Sequence, residues 1–263
     1  MRVKAYHRLM NQPTFTPLAL ITGGNRGLGL QTARELVKQG VQVILGCRDL
    51  DKGNAVAREL REQGHQAEAL RLDVADFRTH REACDELEKR HGRLDILVNN
   101  AGIWKESTTA SSHQPGVNRT STLPMEILRE TFETNFFGTV ALTQTLLPLL
   151  RKSPAGRIVN VSSIMGSLTL HSDPTSSIYE HKVFAYDASK TALNAFTIHL
   201  AHELRDTGIK VNSAHPGWVK TEMGGEGATL DVSEGGKTSA WLAMLPADGP
   251  TGGYFHLGQP LPW

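Results

Sequence analysis

Short apolar runs alternate with amphipathic stretches along most of this chain of 263 residues. The runs have the length of strands, and the stretches carry apolar residues at helical spacing. We predict strands at 17–22, 41–46, 66–72, 94–99, 156–162, 209–214 and 253–256, and helices at 28–39, 52–63, 76–91, 124–150, 185–206 and 233–244. This alternation predicts an α/β protein with a doubly wound parallel sheet of about seven strands and helices on both faces.

A glycine-rich turn, TGGNRGLG, lies between the first predicted strand and the first predicted helix. At such a helix N-terminus, free backbone N–H groups and the helix dipole attract a phosphate. Gly23, Gly27 and Gly29 follow the spacing G-x-x-x-G-x-G, which differs from the G-x-G-x-x-G dinucleotide fingerprint. A glycine turn can have a purely geometric role. The strand and the helix on either side favour a phosphate site.

Tyr186 and Lys190 lie four residues apart in a predicted helix and therefore share one of its faces. A phenol has a reference pKa near ~10, and a fixed cation beside it lowers that pKa. The pair predicts a general acid whose pKa is shifted toward neutrality. A surface pair at helical spacing is the alternative, and the other motifs of the chain argue against it.

Seven motifs, in this order and at these spacings, resemble those of the short-chain dehydrogenase/reductase family from about Leu18 onward. They are TGGNRGLG at 22–29, LDV with Asp73, NNAG at 99–102, ETNFFG with Asn135, VNVSS ending at Ser163, YDASK at 186–190 and HPGWVKT at 215–221. The resemblance implies a Rossmann-type fold and a catalytic set of Asn135, Ser163, Tyr186 and Lys190. Extra residues before the tyrosine and the segment LPADGPTGGYF at 245–255 resemble the carbonyl-reductase branch.

The end of the second predicted strand favours NADP(H) as the cofactor. An NAD site of this type has an acidic side chain there, whereas this strand ends in Gly46 and Cys47. Arg48 follows, and Arg26 lies within the glycine turn, so two guanidinium groups suit the 2′-phosphate. Asp49 comes next and could complicate this interpretation. Arg48 as a solvated loop charge is the alternative.

The resemblance implies a larger set of cofactor contacts along the carboxyl ends of the strands. The set is Gly23, Asn25, Arg26, Gly27, Leu28, Gly29, Arg48, Asp73, Val74, Asn99, Ala101, Gly102, Tyr186, Lys190, Pro216, Gly217, Val219 and Thr221. Asn99 could equally hold neighbouring strands together. For the substrate site, we expect Trp104, Ser163, Tyr186 and Trp218.

Two members of the catalytic set have a neighbouring alternative. VNVSS offers Ser162 and Ser163, and the resemblance selects the second. Tyr186 follows Ser163 by 23 positions, about ten more than is common in the family, and Tyr179 lies nearer the usual distance. However, Val183 rather than a lysine stands four residues after Tyr179. We therefore prefer Tyr186.

Composition excludes several classes of function. The formal charge of +1 predicts neither a nucleic-acid partner nor a membrane-surface patch. The chain has two cysteines and no apolar run of membrane-spanning length, which predicts a cytoplasmic protein. His199, His202 and Glu203 have partial metal-ligand spacing without a third suitable ligand, so we predict no metal.

We expect a loose N-terminal tail at 1–16 and one catalytic domain at 17–263. Two segments, near 104–123 and 164–182, are insertions that either shape a substrate pocket or are tolerated at the surface. The second insertion enters just before the helix through which related enzymes often pair. It could cover the approach to that helix, so we predict a monomer or a weak homodimer.

The expected function is an NADPH-dependent reductase that transfers a hydride to a small-molecule ketone or aldehyde, with Tyr186 as general acid. One alternative is an NAD-dependent alcohol or hydroxysteroid dehydrogenase. Another is a catalytically silent nucleotide-binding regulator, although a regulator has no need of the complete catalytic set. A fold does not fix a substrate, so the sequence names neither the ketone nor the direction.

Overall fold

A computed structural model describes residues 15–106 and 119–263 of the chain. The strands are β1 (Leu18–Thr22), β2 (Gln42–Cys47), β3 (Ala67–Arg71), β4 (Ile96–Asn99), β5 (Arg157–Val161), β6 (Lys210–Ala214), β7 (Tyr254–His256) and β8 (Gln259–Pro260). The helices are α1 (Gly27–Val37), α2 (Leu50–Glu62), α3 (Phe77–His91), α4 (Met125–Phe132), α5 (Gly138–Leu150), α6 (Leu168–Ser172), α7 (Phe184–Glu203), α8 (Val232–Gly235) and α9 (Lys237–Ala243).

The strands form one sheet in the order β3-β2-β1-β4-β5-β6-β7-β8. Every pair is parallel except β7 with β8, which is antiparallel. The predicted parallel sheet is confirmed, and β8 adds one short edge strand to the seven that were predicted. Chain order reverses between β1 and β4, and ligands of open α/β sheets bind outside the carboxyl ends of the strands at such a point.

Both faces of the sheet are buried, because successive side chains of a strand point to opposite sides. In β1, Leu18 and Leu20 belong to one apolar core, which also contains residues of α3 and α5. Ala19 and Ile21 belong to the other core, which contains residues of α1 and α9. Helix layers on both sides hold the carboxyl edge of the sheet, and the loops that leave it, in place.

The predicted helix at 124–150 is interrupted by a π-helical turn at Glu133–Phe137, between α4 and α5. Gly138 follows this turn and packs against the main-chain carbonyl of Val74, where a Cβ would clash. π-turns inside α-helices are frequent at functional sites, and Asn135 lies within this one. The predicted helix at 233–244 is also divided, at Gly236, where a Cβ would lie 2.6 Å from the main chain of Gln31.

The two predicted insertions differ in how much of them is described. Most of the expected tail at 1–16 and the centre of the segment 104–123 lie outside the described residues. The segment 164–182 contains a 3₁₀ turn at Ile164–Gly166, followed by the short helix α6. In the two described parts of the chain, no helix combines the length and apolar character needed to cross a membrane.

Candidate active site

The loops that follow β1, β4, β5 and β6 meet at the carboxyl edge of the sheet, where α7 also begins. They carry the glycine turn, the NNAG segment, Ser163 and the segment that starts at Pro216. Tyr186 is the third residue of α7, and Lys190 lies one turn further along the same face. The topology therefore brings the motifs of the sequence together.

Tyr186 and Ser163 interact. Tyr186 is buried, and hydrogen bonding with the Ser163 side chain acts to lower the pKa of its phenol. Ser162 is also buried, and its Oγ finds no partner among the described residues. Of the two adjacent serines, Ser163 is the one that reaches the tyrosine.

Lys190 is buried close to the ring of Tyr186. Its Nζ donates a hydrogen bond to the carbonyl oxygen of Val161 at 2.8 Å and lies 5.6 Å from the centroid of the tyrosine ring. Burial lowers the pKa of Lys190 to about 8. The ammonium group is therefore close to its titration point at physiological pH.

The expected lowering of the tyrosine pKa is not found. Burial raises the pKa of Tyr186 to about 12, although the hydrogen bond with Ser163 acts in the opposite direction. The reason is that removal of the phenolate from water costs more than the fixed groups around it return. Lys190 does not reverse this shift, and its ammonium group is engaged by a main-chain carbonyl.

Asn135 is buried in the π-turn and connects the loop after β4 to α7. Its Nδ2 donates to the carbonyl oxygen of Ile103 at 2.9 Å and to Ser189 Oγ at 3.0 Å, and its Oδ1 accepts from the Ile103 N–H at 2.8 Å. A Cβ at Gly102 would lie 3.3 Å from Asn135 Oδ1 and 3.5 Å from Lys190 Nζ. A glycine at this point lets the loop pass directly beside the lysine.

The glycine turn has the geometry of a phosphate cradle. Gly23 and Gly27 have φ values of 63° and 51°, in the left-handed region that favours glycine. A Cβ at Gly29 would clash with the carbonyl oxygen of Gly23, so α1 begins very close to the turn. Thr221 lies across the opening, 3.9 Å from the position of a Cβ on Gly27. The backbone at this helix N-terminus is left open to a ligand.

The two arginines predicted for the 2′-phosphate differ in whether their side chains already have a partner. Arg48 is exposed and has no side-chain partner among the described residues. Arg26 forms an ion pair with Glu222 at 2.6 Å, and both side chains are largely exposed, so the pair contributes little to stability. Arg48 is therefore free to bind an anion, and Arg26 could exchange its partner.

Asp49, which follows Arg48, is engaged by Lys52 at the start of α2. Its carboxylate accepts from the Lys52 N–H at 3.1 Å and caps α2. It also pairs with Lys52 Nζ at 3.2 Å. Hydrogen bonds from Lys52 lower the pKa of Asp49. The acidic group that could have indicated NAD is thus used at the start of the helix.

Asn99 has the contacts of the scaffold alternative, and its role in cofactor binding stays a prediction. It is buried, and its Nδ2 donates to Thr143 Oγ1 at 3.0 Å and to Asn160 Oδ1 at 2.8 Å. The side chain therefore connects β4 to β5 and α5, which is the scaffold alternative.

Sequence reasoning missed Thr22, whose Oγ1 accepts from the N–H groups of Asn100 and Ala101 at 2.9 and 2.8 Å.

The remaining predicted cofactor residues lie in the glycine turn or just after the carboxyl ends of the strands. Asp73 Oδ1 accepts from the Ala75 N–H at 3.0 Å, and Val74 is buried beside it. Thr221 Oγ1 accepts from the Gly224 N–H at 3.1 Å. The other members lie in the glycine turn or directly after β4 and β6: Asn25, Leu28, Ala101, Pro216, Gly217 and Val219.

The two tryptophans predicted for the substrate site differ in their surroundings. Trp104 stacks on Tyr186, with ring centroids 5.2 Å apart and an interplanar angle of 19°. Trp218 is 55% exposed, and its Nε1 donates to the Gly224 carbonyl oxygen at 2.9 Å.

The alternative tyrosine, Tyr179, has the ammonium group of Lys182 4.7 Å from its ring centroid. It makes no contact with Lys190 in the described structure.

Sequence reasoning missed two acidic groups beside Tyr186. Glu106 is buried, and it accepts hydrogen bonds from the N–H groups of Ala185 and Tyr186. Asp187 is also buried, and burial raises its pKa to about 8. No local signal reveals Glu106, because its partners are 79 and 80 positions away.

The histidine pair considered for a metal lies away from this site. His199 and His202 are exposed on α7, and Glu203 forms an ion pair with Arg151 at 3.7 Å. Within residues 15–106 and 119–263, no group of three or more His, Cys, Asp or Glu side chains is arranged to hold a metal ion.

Comparison with known proteins agrees with this geometry. A model of the short chain dehydrogenase family matches residues 17–229. Salutaridine reductase of Papaver bracteatum is 30% identical over 95% of this chain and 97% of its own length. Human carbonyl reductase [NADPH] 1 is 33% identical over 89% of this chain and 94% of its own length.

Solved structures give the same result. The NADPH-bound carbonyl reductase from chicken fatty liver superimposes with a TM-score of 0.80 at 25% identity, over 94% of this chain and 99% of the other. The chain belongs to the short-chain dehydrogenase/reductase family. Within that family, the chain belongs to a carbonyl-reductase-like branch.

Proposed function

We propose that this protein is an NADPH-dependent reductase that transfers a hydride to a ketone or aldehyde carbonyl, with Tyr186 as the general acid. The observation that carries the proposal is the contact of the Tyr186 phenol with Ser163, together with buried Lys190 one helical turn away. This group lies at the edge of the sheet where the cradle of the glycine turn opens. Two hydroxyl donors and a cation are what the reduction of a carbonyl requires.

NADPH suits the residues at the carboxyl edge of the sheet. Backbone groups of the turn that contains Gly23 and Gly27 would hold the pyrophosphate. Arg48 is free for the 2′-phosphate, and Asp49, which would repel it, is engaged by α2. One relative is named for NADPH, and one similar structure is described as NADPH-bound. These points argue against the NAD-dependent dehydrogenase alternative.

When bound, the cofactor supplies the hydride that goes to the carbonyl carbon. Negative charge then develops on the carbonyl oxygen, to which the hydroxyls of Ser163 and Tyr186 donate hydrogen bonds. Tyr186 transfers its proton to this oxygen and becomes a phenolate. Charged Lys190 stabilises that phenolate and also binds ribose hydroxyls. We further propose that Asn135 holds a water through which the phenol is reprotonated.

The complete set of Asn135, Ser163, Tyr186 and Lys190 disfavours a catalytically silent regulator. Trp104 and Trp218 are proposed to border the substrate, since one stacks on the catalytic tyrosine and the other is exposed near the end of β6. We propose a cytoplasmic protein with one domain at 17–263. Its assembly is proposed to be a monomer or a weak homodimer.

Replacement of the proposed acid tests the mechanism. Tyr186→Phe should lower kcat by about 10²-fold or more, because it removes a positioned proton donor. The affinity for NADPH should change little, since the ring remains in place. Tyr179→Phe is the matched control and should have the kcat of the wild type. Turnover retained in Tyr186→Phe but lost in Tyr179→Phe would identify the other tyrosine as the acid.

A further inference from the structure

We propose that Glu106 is a positioning residue for the reaction: it caps α7 from a separate loop and thereby fixes the main chain of Tyr186. The inference rests on the proposed function, because it assumes that Tyr186 is the acid. It assigns a role to the start of the segment inserted after β4.

The first turn of α7 lacks a cap of its own. Val183 occupies the N-cap position, and its side chain has no hydrogen-bond acceptor. The first N–H groups of a helix have no partner within the helix, and Ser, Thr, Asp or Asn at the N-cap usually accepts from the second or third of them. Here the second and third helical residues are Ala185 and Tyr186. The catalytic tyrosine thus carries one of the N–H groups that need an external acceptor.

Glu106 supplies both missing acceptors. Its Oε1 accepts from the Ala185 N–H at 2.7 Å, and its Oε2 accepts from the Tyr186 N–H at 3.0 Å. Glu106 is 4% exposed, so these bonds are shielded from water. A carboxylate at a helix N-terminus also interacts favourably with the helix dipole.

The loop that carries Glu106 contacts the catalytic group at three further points. Gly102 passes beside Lys190, and Ile103 exchanges two hydrogen bonds with Asn135. Trp104 stacks on the ring of Tyr186. The segment 102–106 therefore holds both the ring and the main chain of the tyrosine. A small displacement of α7 would move the phenol relative to Ser163, and displacements of about 1 Å can cost 10²-fold in rate.

Other charged groups surround the cap. Asp187 Oδ2 accepts from the Val183 N–H at 3.0 Å and lies 3.4 Å from His171 Nε2. Lys182 Nζ lies 3.2 Å from His171 Nδ1. Burial raises the pKa of Glu106, and the two N–H groups oppose that shift. The cap is one part of a polar cluster that ties α6 and α7 to the loop after β4.

Removal of the carboxylate is the first test, on the full-length protein. Glu106→Ala should lower kcat about 10-fold or more while the Kd for NADPH, measured by fluorescence titration, changes less than about two-fold. Glu130→Ala is the matched control, because Glu130 pairs at 3.1 Å with Lys105, next to Glu106, and both side chains are well exposed. The control should have the kcat of the wild type. A Glu106→Ala enzyme with wild-type kcat would overturn the proposal.

A second substitution distinguishes capping from other roles of Glu106. Val183→Thr replaces one methyl group with a hydroxyl and places an N-cap acceptor at the start of α7. In the Glu106→Ala background it should restore several-fold of the lost kcat. Failure to restore kcat would show that Glu106 acts in another way. If Glu106→Ala does not fold, Glu106→Gln keeps one oxygen acceptor and should give an intermediate kcat, whereas wild-type kcat in that variant would also contradict capping.

The result for Tyr186→Phe separates this inference from the proposed function. If Tyr186→Phe loses activity while Glu106→Ala keeps the kcat of the wild type, the proposed acid stands and only the cap is refuted. Retained activity in Tyr186→Phe would refute the proposed acid and remove the basis of the inference.

Discussion

Asp187, next to Tyr186, is expected to make the fold less stable as the pH rises. Burial raises the pKa of its carboxyl from 3.8 to about 8. The hydrogen bond from the Val183 N–H opposes the shift, nearby Glu106 adds to it, and Lys182 opposes it. Oδ1 finds no hydrogen-bond partner among the described residues, so the charged carboxylate is only partly compensated. The folded protein therefore holds a proton that the unfolded chain would release.

The raised pKa of Asp187 determines whether stability rises or falls with pH and over which pH range it changes. The stabilisation is complete below about pH 4, where folded and unfolded chains are both protonated at this site, and it is lost as the pH rises to about 8. Between the two pKa values, each pH unit removes about 1.4 kcal/mol. From pH 6 to pH 8 the free energy of unfolding should fall by about 2 kcal/mol on account of Asp187, since the curve flattens near the folded pKa.

Urea unfolding of the wild type and of Asp187→Asn at pH 6, 7 and 8 measures this contribution. The asparagine oxygen can still accept from the Val183 N–H, and the amide cannot acquire a negative charge. Burial also lowers the pKa of His171, which makes stability rise with pH up to about 6.5, but this residue is present in both proteins. Because His171 Nε2 lies 3.4 Å from Asp187 Oδ2, the substitution also changes the environment of His171, so the contribution of Asp187 is taken from the slopes between pH 7 and pH 8, above the ordinary pKa of a histidine. Equal slopes would refute the argument.

Three further predictions concern the cofactor, the lysine and the assembly. Arg48→Asp should weaken NADPH binding on the order of 10²-fold by fluorescence titration and weaken NADH binding much less, because only NADPH carries the 2′-phosphate. An equal loss for both cofactors would contradict the role of Arg48. Because burial lowers the pKa of Lys190 to about 8, kcat/KM should fall above pH 8 as the ammonium group loses its charge, and a profile that stays flat to pH 10 would contradict this. Light scattering should give the mass of a monomer or a weak dimer, although Met125 of α4, Phe137 of the π-turn and Phe184 of α7 are exposed apolar side chains that pairing would cover. A mass near four times 28.8 kDa would contradict that assembly.

Most of the sheet could be predicted because its signals are local. Most of the seven predicted strands are apolar runs whose length matches a buried strand, and all seven are present. β8 was missed because it has two residues, one of them Pro260, and no alternation. The break at Asn135 was missed for another reason: the sequence 124–150 is apolar at helical spacing throughout. The glycine at the end of the π-turn is required by a contact with Val74, which is distant in sequence.

The candidate site was only partly predictable from motifs. The motifs identify Ser163, Tyr186 and Lys190, and the topology brings them together. The pKa of Tyr186 was misjudged because a spacing rule reveals a nearby cation but not the loss of water around the phenol. Glu106 could not be found, since it replaces an N-cap that the local sequence at Val183 does not provide. Only the folded chain places these residues side by side.

The most direct test of the proposed function is the oxidation of NADPH by the purified protein across a panel of aliphatic, aromatic and steroid ketones and aldehydes. We expect turnover of at least one carbonyl substrate, with a kcat/KM for NADPH well above that for NADH. Absence of turnover with every carbonyl, or a higher kcat/KM with NADH, would contradict it.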